Sequence, residues 1–222
     1  MICYCISGLG ADHRIFERLD LTGVTLEHVP WLLPAPDEPL ATYAGRMSTD
    51  IVGHRPIILG VSFGGMIAIE IAKYYPLATV ILVSSLLNRD QRQLWMKIGR
   101  ILHLERWLSQ NYSPRNQGLR RLIAWVEDFY MGVENDWDGA LVKSYRNRTD
   151  FRYLRWAIGQ ILHWDNRWIP TTVYQLHGGR DRIFRLPSAA VTHYIPDGGH
   201  LMIHNRPELV NPIIAGILEK QA

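Results

Sequence analysis

Pro56-Ile57-Ile58-Leu59-Gly60-Val61-Ser62-Phe63-Gly64-Gly65-Met66-Ile67-Ala68-Ile69 is the stretch that decides the architecture. Its first six residues form a short, continuous apolar run, the pattern of a central parallel strand covered on both faces. From Gly64 to Tyr75 the residues Met66, Ile67, Ala68, Ile69, Ile71 and Ala72 leave almost no polar side, which predicts a helix buried nearly all round. Thr79 to Ser84 is apolar again and predicts another strand. Strand, helix and strand in that order make a βαβ unit, hence a parallel sheet with a right-handed crossover. At the joint between strand and helix, Gly60-Val61-Ser62-Phe63-Gly64 fits G-x-S-x-G. The physical reason for the pattern is steric. A sharp strand-to-helix turn lifts the serine hydroxyl above the sheet, and the flanking positions must lack side chains where the two main chains nearly touch. The helix N-terminus also aims free N–H groups and a partial positive charge at that serine.

Working outward, residues 1–6 alternate and predict a first strand, followed by the turn Ser7-Gly8-Leu9-Gly10-Ala11-Asp12 and a short helix over 13–20. Thr25 to Val29 predicts a second strand. Pro30, Pro34, Pro36 and Pro39 then mark a loop, and Leu40 to Val52 has helical spacing. The alternation stops over 86–168, where only helical patterns occur. Leu94, Ile98, Ile101, Leu102 and Leu108 mark one apolar face. Leu119, Leu122, Ile123, Val126, Phe129 and Tyr130 mark a second, and Phe151, Leu154, Ala157, Ile158, Ile161 and Leu162 a third. Strands resume at Thr171 to His177 and Ala189 to Ile195, and an amphipathic helix, Pro207 to Leu218, follows. The expected organisation is therefore a core of residues 1–85 and 169–222, interrupted by a helical cap over 86–168.

A serine hydroxyl is a weak nucleophile and needs a base. Pro196-Asp197-Gly198-Gly199-His200 follows the last predicted strand, and a Gly-rich turn there lets a side chain lean over the sheet edge; His200 is the candidate base. His13, His177 and His204 compete on residue type but lack that placement. The base must be held in one tautomer by an acceptor. Asp181 stands just past the penultimate strand, 19 residues before His200; Asp197 and Asp165 are weaker candidates. An oxyanion needs N–H donors. The backbone N–H of Phe63, after the serine, and that of Leu9, in the turn after the first strand, are the expected pair.

With those residues in place the chain resembles the α/β-hydrolase superfamily, in its small esterase-like branch with a helical cap. Ser7-Gly8-Leu9-Gly10 resembles the oxyanion turn and Gly60 to Gly65 the elbow. His177-Gly178-Gly179-Arg180-Asp181-Arg182-Ile183-Phe184 resembles the acid loop. Gly198-Gly199-His200-Leu201-Met202 with Arg206-Pro207-Glu208 resembles the histidine loop and last helix. The resemblance implies a three-layer αβα fold, a Ser–Asp–His triad of Ser62, Asp181 and His200, and acyl transfer to water. It covers nearly the whole chain outside 86–168. Two departures stand out. Ser7 occupies the usual histidine of the oxyanion turn. The chain also begins at the family's third strand, so the sheet should have about six strands, mostly or wholly parallel.

Composition narrows the rest. The 222 residues suffice for one core, and the apolar fraction of 47% is ordinary for a soluble domain. No apolar run reaches the roughly 18 residues of a membrane span. Cys3 and Cys5 share one strand face and cannot bridge each other. With no secretory signal at the N-terminus, a reducing cytoplasm is the expected location. Residues 86–168 hold 14 Lys and Arg against 9 Asp and Glu, and seven of the eight tryptophans. That mixture can bind nucleic acid, but no nucleic-acid motif accompanies it, and the reading adopted is a helical layer with solvated arginines and packed tryptophans. Nucleic-acid partners and cofactors are therefore not expected: there is no P-loop, dinucleotide fingerprint or metal-ligand constellation. The expected substrate is a small or medium, fairly apolar carboxylic ester, with Leu87, Trp107, Trp156 and Met202 lining its pocket. A thioesterase or C–C bond hydrolase would use the same triad. A dehalogenase would need Asp at position 62, a lyase of the hydroxynitrile type a nearby lysine, and a non-catalytic binding protein would typically lack a triad member. Oligomeric state is not written in the sequence.

Overall fold

The computed structural model describes residues 1–107 and 117–221; the side chains of Trp107, Gln117, Leu119 and Arg120 lie outside the described set, as does Leu108. The strands are β1 (Ile2–Ile6), β2 (Thr25–His28), β3 (Ile57–Val61), β4 (Thr79–Val83), β5 (Thr172–Gly178) and β6 (His193–Ile195). They form one six-stranded sheet in the order β2-β1-β3-β4-β5-β6, every pair parallel. The helices are α1 (Leu40–Met47), α2 (Phe63–Ala72), α3 (Leu94–Leu102), α4 (Leu104–Trp107), α5 (Gln117–Met131), α6 (Asp136–Arg148), α7 (Phe151–His163), α8 (Met202–Asn205) and α9 (Pro207–Glu219). Elements α3 to α7 lie between β4 and β5. No helix among the described residues is long and apolar enough to cross a membrane.

The period-two geometry of the strands divides the core. Tyr4, Ile6, Ile58, Val80 and Leu82 point to one side and pack with α1 and α2, together with Tyr153, Ala157, Leu162 and Trp164. Cys3, Cys5, Ile57, Leu59, Val61, Ile81 and Val83 point to the other, against Ile15, Phe16, Leu141, Val142 and the apolar face of α9. β3 and β4 are buried along their whole length, as a strand with helices on both faces must be. Both cysteines are buried and free.

Two expectations need correction. The segment predicted as strand from Ala189 begins as a 3-10 turn over Ser188–Ala190, and only His193–Ile195 pairs with β5. The apolar faces of α3 and α5 do not all pack. Met96 and Gly99 are the buried residues of α3, while Leu94, Ile98, Ile101 and Leu102 are exposed, as are Leu122, Trp125, Val126 and Phe129 of α5. Of the tryptophans between β4 and β5, Trp164 is buried and Trp156 half-buried, but Trp95, Trp125, Trp137 and Trp168 are exposed.

Where α2 leaves β3, main chains meet. A Cβ on Gly64 would collide with the carbonyls of Ile6 and Ser7, and one on Gly60 would lie 2.6 Å from Gly65 Cα. Gly64→Ala is accordingly expected to cost about 1–3 kcal/mol or more. Gly216→Ala, inside α9 with nothing within 4 Å of the added methyl, should stabilise by about 0.5–1 kcal/mol. Urea denaturation midpoints of the two variants against the parent check both signs.

Candidate active site

Three loops at the carboxyl ends of β3, β5 and β6 bring Ser62, Asp181 and His200 together. Ser62 adopts φ 53° and ψ −121°, a conformation that costs a non-glycine residue about 1–3 kcal/mol. Its N–H donates to Val83 O at 2.9 Å and its carbonyl accepts from Ser85 Oγ at 2.6 Å, so both main-chain groups are held while the side chain stays partly exposed.

The loops after β5 and β6 are bolted to each other. Gly179 N donates to Ile195 O at 2.8 Å and Arg180 N to Gly198 O at 2.9 Å. Gly178 lies so close to the Gly198 main chain that a Cβ would clash with it. Asp181, almost wholly buried, spends both oxygens: Oδ1 accepts from Ile183 N at 2.8 Å and Phe184 N at 2.9 Å, and Oδ2 faces His200 Nδ1 at 2.8 Å. Burial pushes its carboxyl up, but the facing His200, the nearby His177 and the Phe184 N–H outweigh that and hold it below its ordinary value. A carboxylate can only accept, so His200 carries its proton on Nδ1 and turns the Nε2 lone pair to Ser62 Oγ, 2.9 Å away. The Phe184 ring meets the imidazole edge-on at 5.6 Å between centroids.

The other histidines take other places. His177 is fully buried; its Nε2–H donates to Phe184 O at 2.6 Å, closing the acid loop, and burial depresses its basicity, so it stays neutral. His204 is buried on α8 away from Ser62, and His13 lies on the surface near His28. Asp197 pairs with Arg180 at the surface, and Asp165 with Arg89 and Arg92.

Above the serine, the turn after β1 approaches the elbow: a Cβ on Gly8 would touch Ser62 Cβ at 3.4 Å. Among the described hydrogen bonds the N–H groups of Leu9 and Phe63 have no acceptor. Ser7, buried, organises this turn. Its Oγ donates to Ala11 O at 2.8 Å and accepts from Trp31 Nε1 at 2.9 Å. Trp31 in turn lies parallel to Phe63, centroids 5.6 Å and planes 8° apart. Tyr43, Tyr153 and Trp156 complete an aromatic cluster around it. Sequence reasoning missed Trp31. It is the one tryptophan outside 86–168, next to Pro30 after β2, and that isolation was the available signal.

Of the expected pocket residues, Trp156 belongs to this cluster and Leu87, half-buried, packs on the same side of the sheet. The Trp107 side chain lies outside the described residues. Met202 is a correction: it is wholly buried in the core on the opposite side, beneath the Gly198 turn, and presents no surface to a bound molecule.

The fold and the arrangement of the loops at its carboxyl edge define a hydrolase-type α/β protein. The chain belongs to the alpha/beta hydrolase family, whose model matches residues 3–213. No curated protein sequence matches it. Among solved structures it is similar to a hydrolase from Oleispira antarctica (TM-score 0.73, 13% identity, 98% of this chain and 90% of that one). It is also similar to a thermophilic esterase from Thermogutta terrifontis (TM-score 0.69, 14% identity, 99% and 90%) and to a Bacillus megaterium epoxide hydrolase (TM-score 0.68, 14%, 98% and 93%).

Because the native environment lowers the Asp181 pKa, that carboxylate contributes stability above its unfolded value near ~3.9 and loses it as pH falls through the lower folded value. The stability gap between the parent and Asp181→Asn should therefore be widest above about pH 5 and close in acid. Denaturant unfolding across a pH series measures it; a gap that widens in acid would reverse the sign of the interaction.

Proposed function

We propose that this chain is a serine hydrolase that cleaves a small or medium carboxylic ester through an acyl-serine intermediate. The observation that carries the reading is the continuous path Ser62 Oγ–His200 Nε2 at 2.9 Å and His200 Nδ1–Asp181 Oδ2 at 2.8 Å, ending on a serine held at positive φ. His200 takes the hydroxyl proton as Ser62 Oγ attacks the ester carbonyl. The imidazolium that forms faces a carboxylate, which stabilises it and keeps the ring in place. The oxyanion receives the N–H groups of Phe63 and Leu9, the first at the N-terminus of α2, where the helix dipole adds positive potential. His200 returns the proton to the leaving alkoxide, then activates a water that attacks the acyl-serine and restores the hydroxyl.

Residues 86–168 act as the cap of this site. Trp156 of α7, backed by Tyr153, reaches to Phe63, beside the nucleophile, and the half-buried Trp156 and Leu87 supply an apolar surface for the acyl group. Small uncharged substrates suit that lining. The structural neighbours include an esterase and an epoxide hydrolase, so the triad rather than the fold selects ester chemistry here.

Labelling with a fluorophosphonate probe tests the nucleophile. The parent should label, and Ser62→Ala and His200→Ala should not; an unlabelled parent would favour a ligand-binding protein of the same fold. On p-nitrophenyl esters of graded chain length, Asp181→Asn should lower turnover by about 10⁴. A loss below tenfold would move the acid role elsewhere, and turnover on thioesters alone would shift the substrate class.

A further inference from the structure

Apart from Ser62 and its partners, one group of ligating side chains converges among the described residues, and it lies between β4 and β5. α3 ends at Leu102, His103 takes a left-handed backbone at φ 49°, and α4 begins at Leu104. This corner places His103 and Glu105 beside His163, the last residue of α7. His103 Nδ1 is 3.0 Å from Glu105 Oε1, and His163 Nε2 is 3.4 Å from the same oxygen. The two imidazoles stack, centroids 5.3 Å and planes 24° apart. One ligand atom from each of the three residues lies within 4.8 Å of the other two.

We propose that His103, Glu105 and His163 form a binding site for a divalent transition-metal ion, Zn²⁺ by preference. Two imidazoles and one carboxylate are a zinc-type donor set, too nitrogen-rich for Ca²⁺ or Mg²⁺. Zinc bonds of 2.0–2.1 Å to nitrogen and oxygen place tetrahedral ligand atoms about 3.3 Å apart, and the two contacts to Glu105 straddle that spacing. Glu105 is also incompletely satisfied without an ion. Its Oε2 is buried with no donor, and Arg106, mostly exposed, reaches only to 4.0 Å from Oε1. Burying a carboxylate oxygen without a partner is costly, and a cation bound to the same carboxylate lowers that cost by compensating its charge. Three protein ligands leave a fourth position for water. The ion would tie the α3–α4 corner to the C-terminal end of α7, the helix whose Tyr153 and Trp156 pack in the aromatic cluster with Phe63. This site is independent of the ester reading, since it shares no residue with the triad.

The test uses the full chain, stripped with a chelator, dialysed against Zn²⁺ and analysed for bound metal, with Co²⁺ absorption as a coordination signature. The parent should retain one ion per chain, show tetrahedral Co²⁺ bands and gain thermal stability on adding Zn²⁺. His163→Ala and Glu105→Gln should bind at least tenfold more weakly and lose the Zn²⁺-dependent rise in Tm. His200→Gln should bind as the parent does, which separates this site from the His200–Asp181 pair. Should His163→Ala fail to fold by circular dichroism, Glu105→Gln, which keeps the side-chain shape, decides. A parent that retains no ion, variants that bind equally, or loss confined to His200→Gln would each overturn the assignment.

Discussion

Main chain against main chain, at the junction of β1, β3 and α2, is the contact on which the rest of the carboxyl edge depends. Gly64 sits under the carbonyls of Ile6 and Ser7, and Gly60 under Gly65, with no room for a methyl group at either. That closeness lets α2 start directly at the end of β3 and forces Ser62 into a backbone region serine ordinarily avoids. The strain persists because what surrounds it is over-determined. Every residue of α2 and β3 is buried, and the Ser62 main chain is tied to Val83 at the end of β4 and to Ser85 just past it. One glycine contact therefore fixes three things together: the projection of the Ser62 hydroxyl, the direction of the α2 N-terminus, and the approach of the Gly8 turn.

The second arm of the site is rigid for a related reason. Asp181 and His200 come from different strands, and a hydrogen bond between side chains on two free loops would be worth little. Here the loops are crossed at Gly178 and Gly198 and joined by main-chain hydrogen bonds, so ordering one orders the other. His177 adds a strut from inside the acid loop. The Asp181–His200 hydrogen bond is thus formed between groups already immobilised, which is the condition for electrostatic preorganisation.

The parts legible in the sequence were those set by main-chain sterics and short-range periodicity. G-x-S-x-G between an apolar strand and an apolar helix leaves few alternatives, and the strand ends at Gly178 and Ile195 placed Asp181 and His200 at the same edge. What escaped depends on contacts far apart in the chain. Nothing local to Ser7 announces that its hydroxyl is held by Trp31, 24 positions away. Nothing local to Met202 says that, two residues after His200, it faces the opposite core. The periodicity of α3 and α5 was real, but an apolar stripe states only that a face can be buried, and Ile101 and Trp125 remain 77% and 63% exposed. Residues His103, Glu105 and His163 were passed over because their convergence needs the α3–α4 corner and the end of α7 to meet.

The helices between β4 and β5 are not equally coupled to the sheet. α3 and α5 carry most of their described large apolar residues outward, Met96 excepted, whereas α7 buries Tyr153, Ala157 and Leu162 in the core and is pinned by specific polar contacts. Trp156 Nε1 donates to Glu38 O at 2.7 Å, Gln160 Oε1 accepts from Leu40 N at 3.1 Å, and just past the helix Trp164 Nε1 donates to the buried Glu70 of α2 at 2.8 Å. These bonds run to α2, to the start of α1 and to the loop just before it, on one face of the sheet. A displacement of α7 would have to break them and separate Trp156 from Tyr43, and so would be felt at Phe63, the residue after Ser62. One route from the outer helices to Ser62 therefore passes through α7, and the His103–Glu105–His163 cluster is one of the places where an outer corner takes hold of it; α3 and α5 also reach the Asp181 loop directly, Trp95 Nε1 donating to Ile183 O at 3.1 Å and Arg182 to Phe129 O at 2.7 Å.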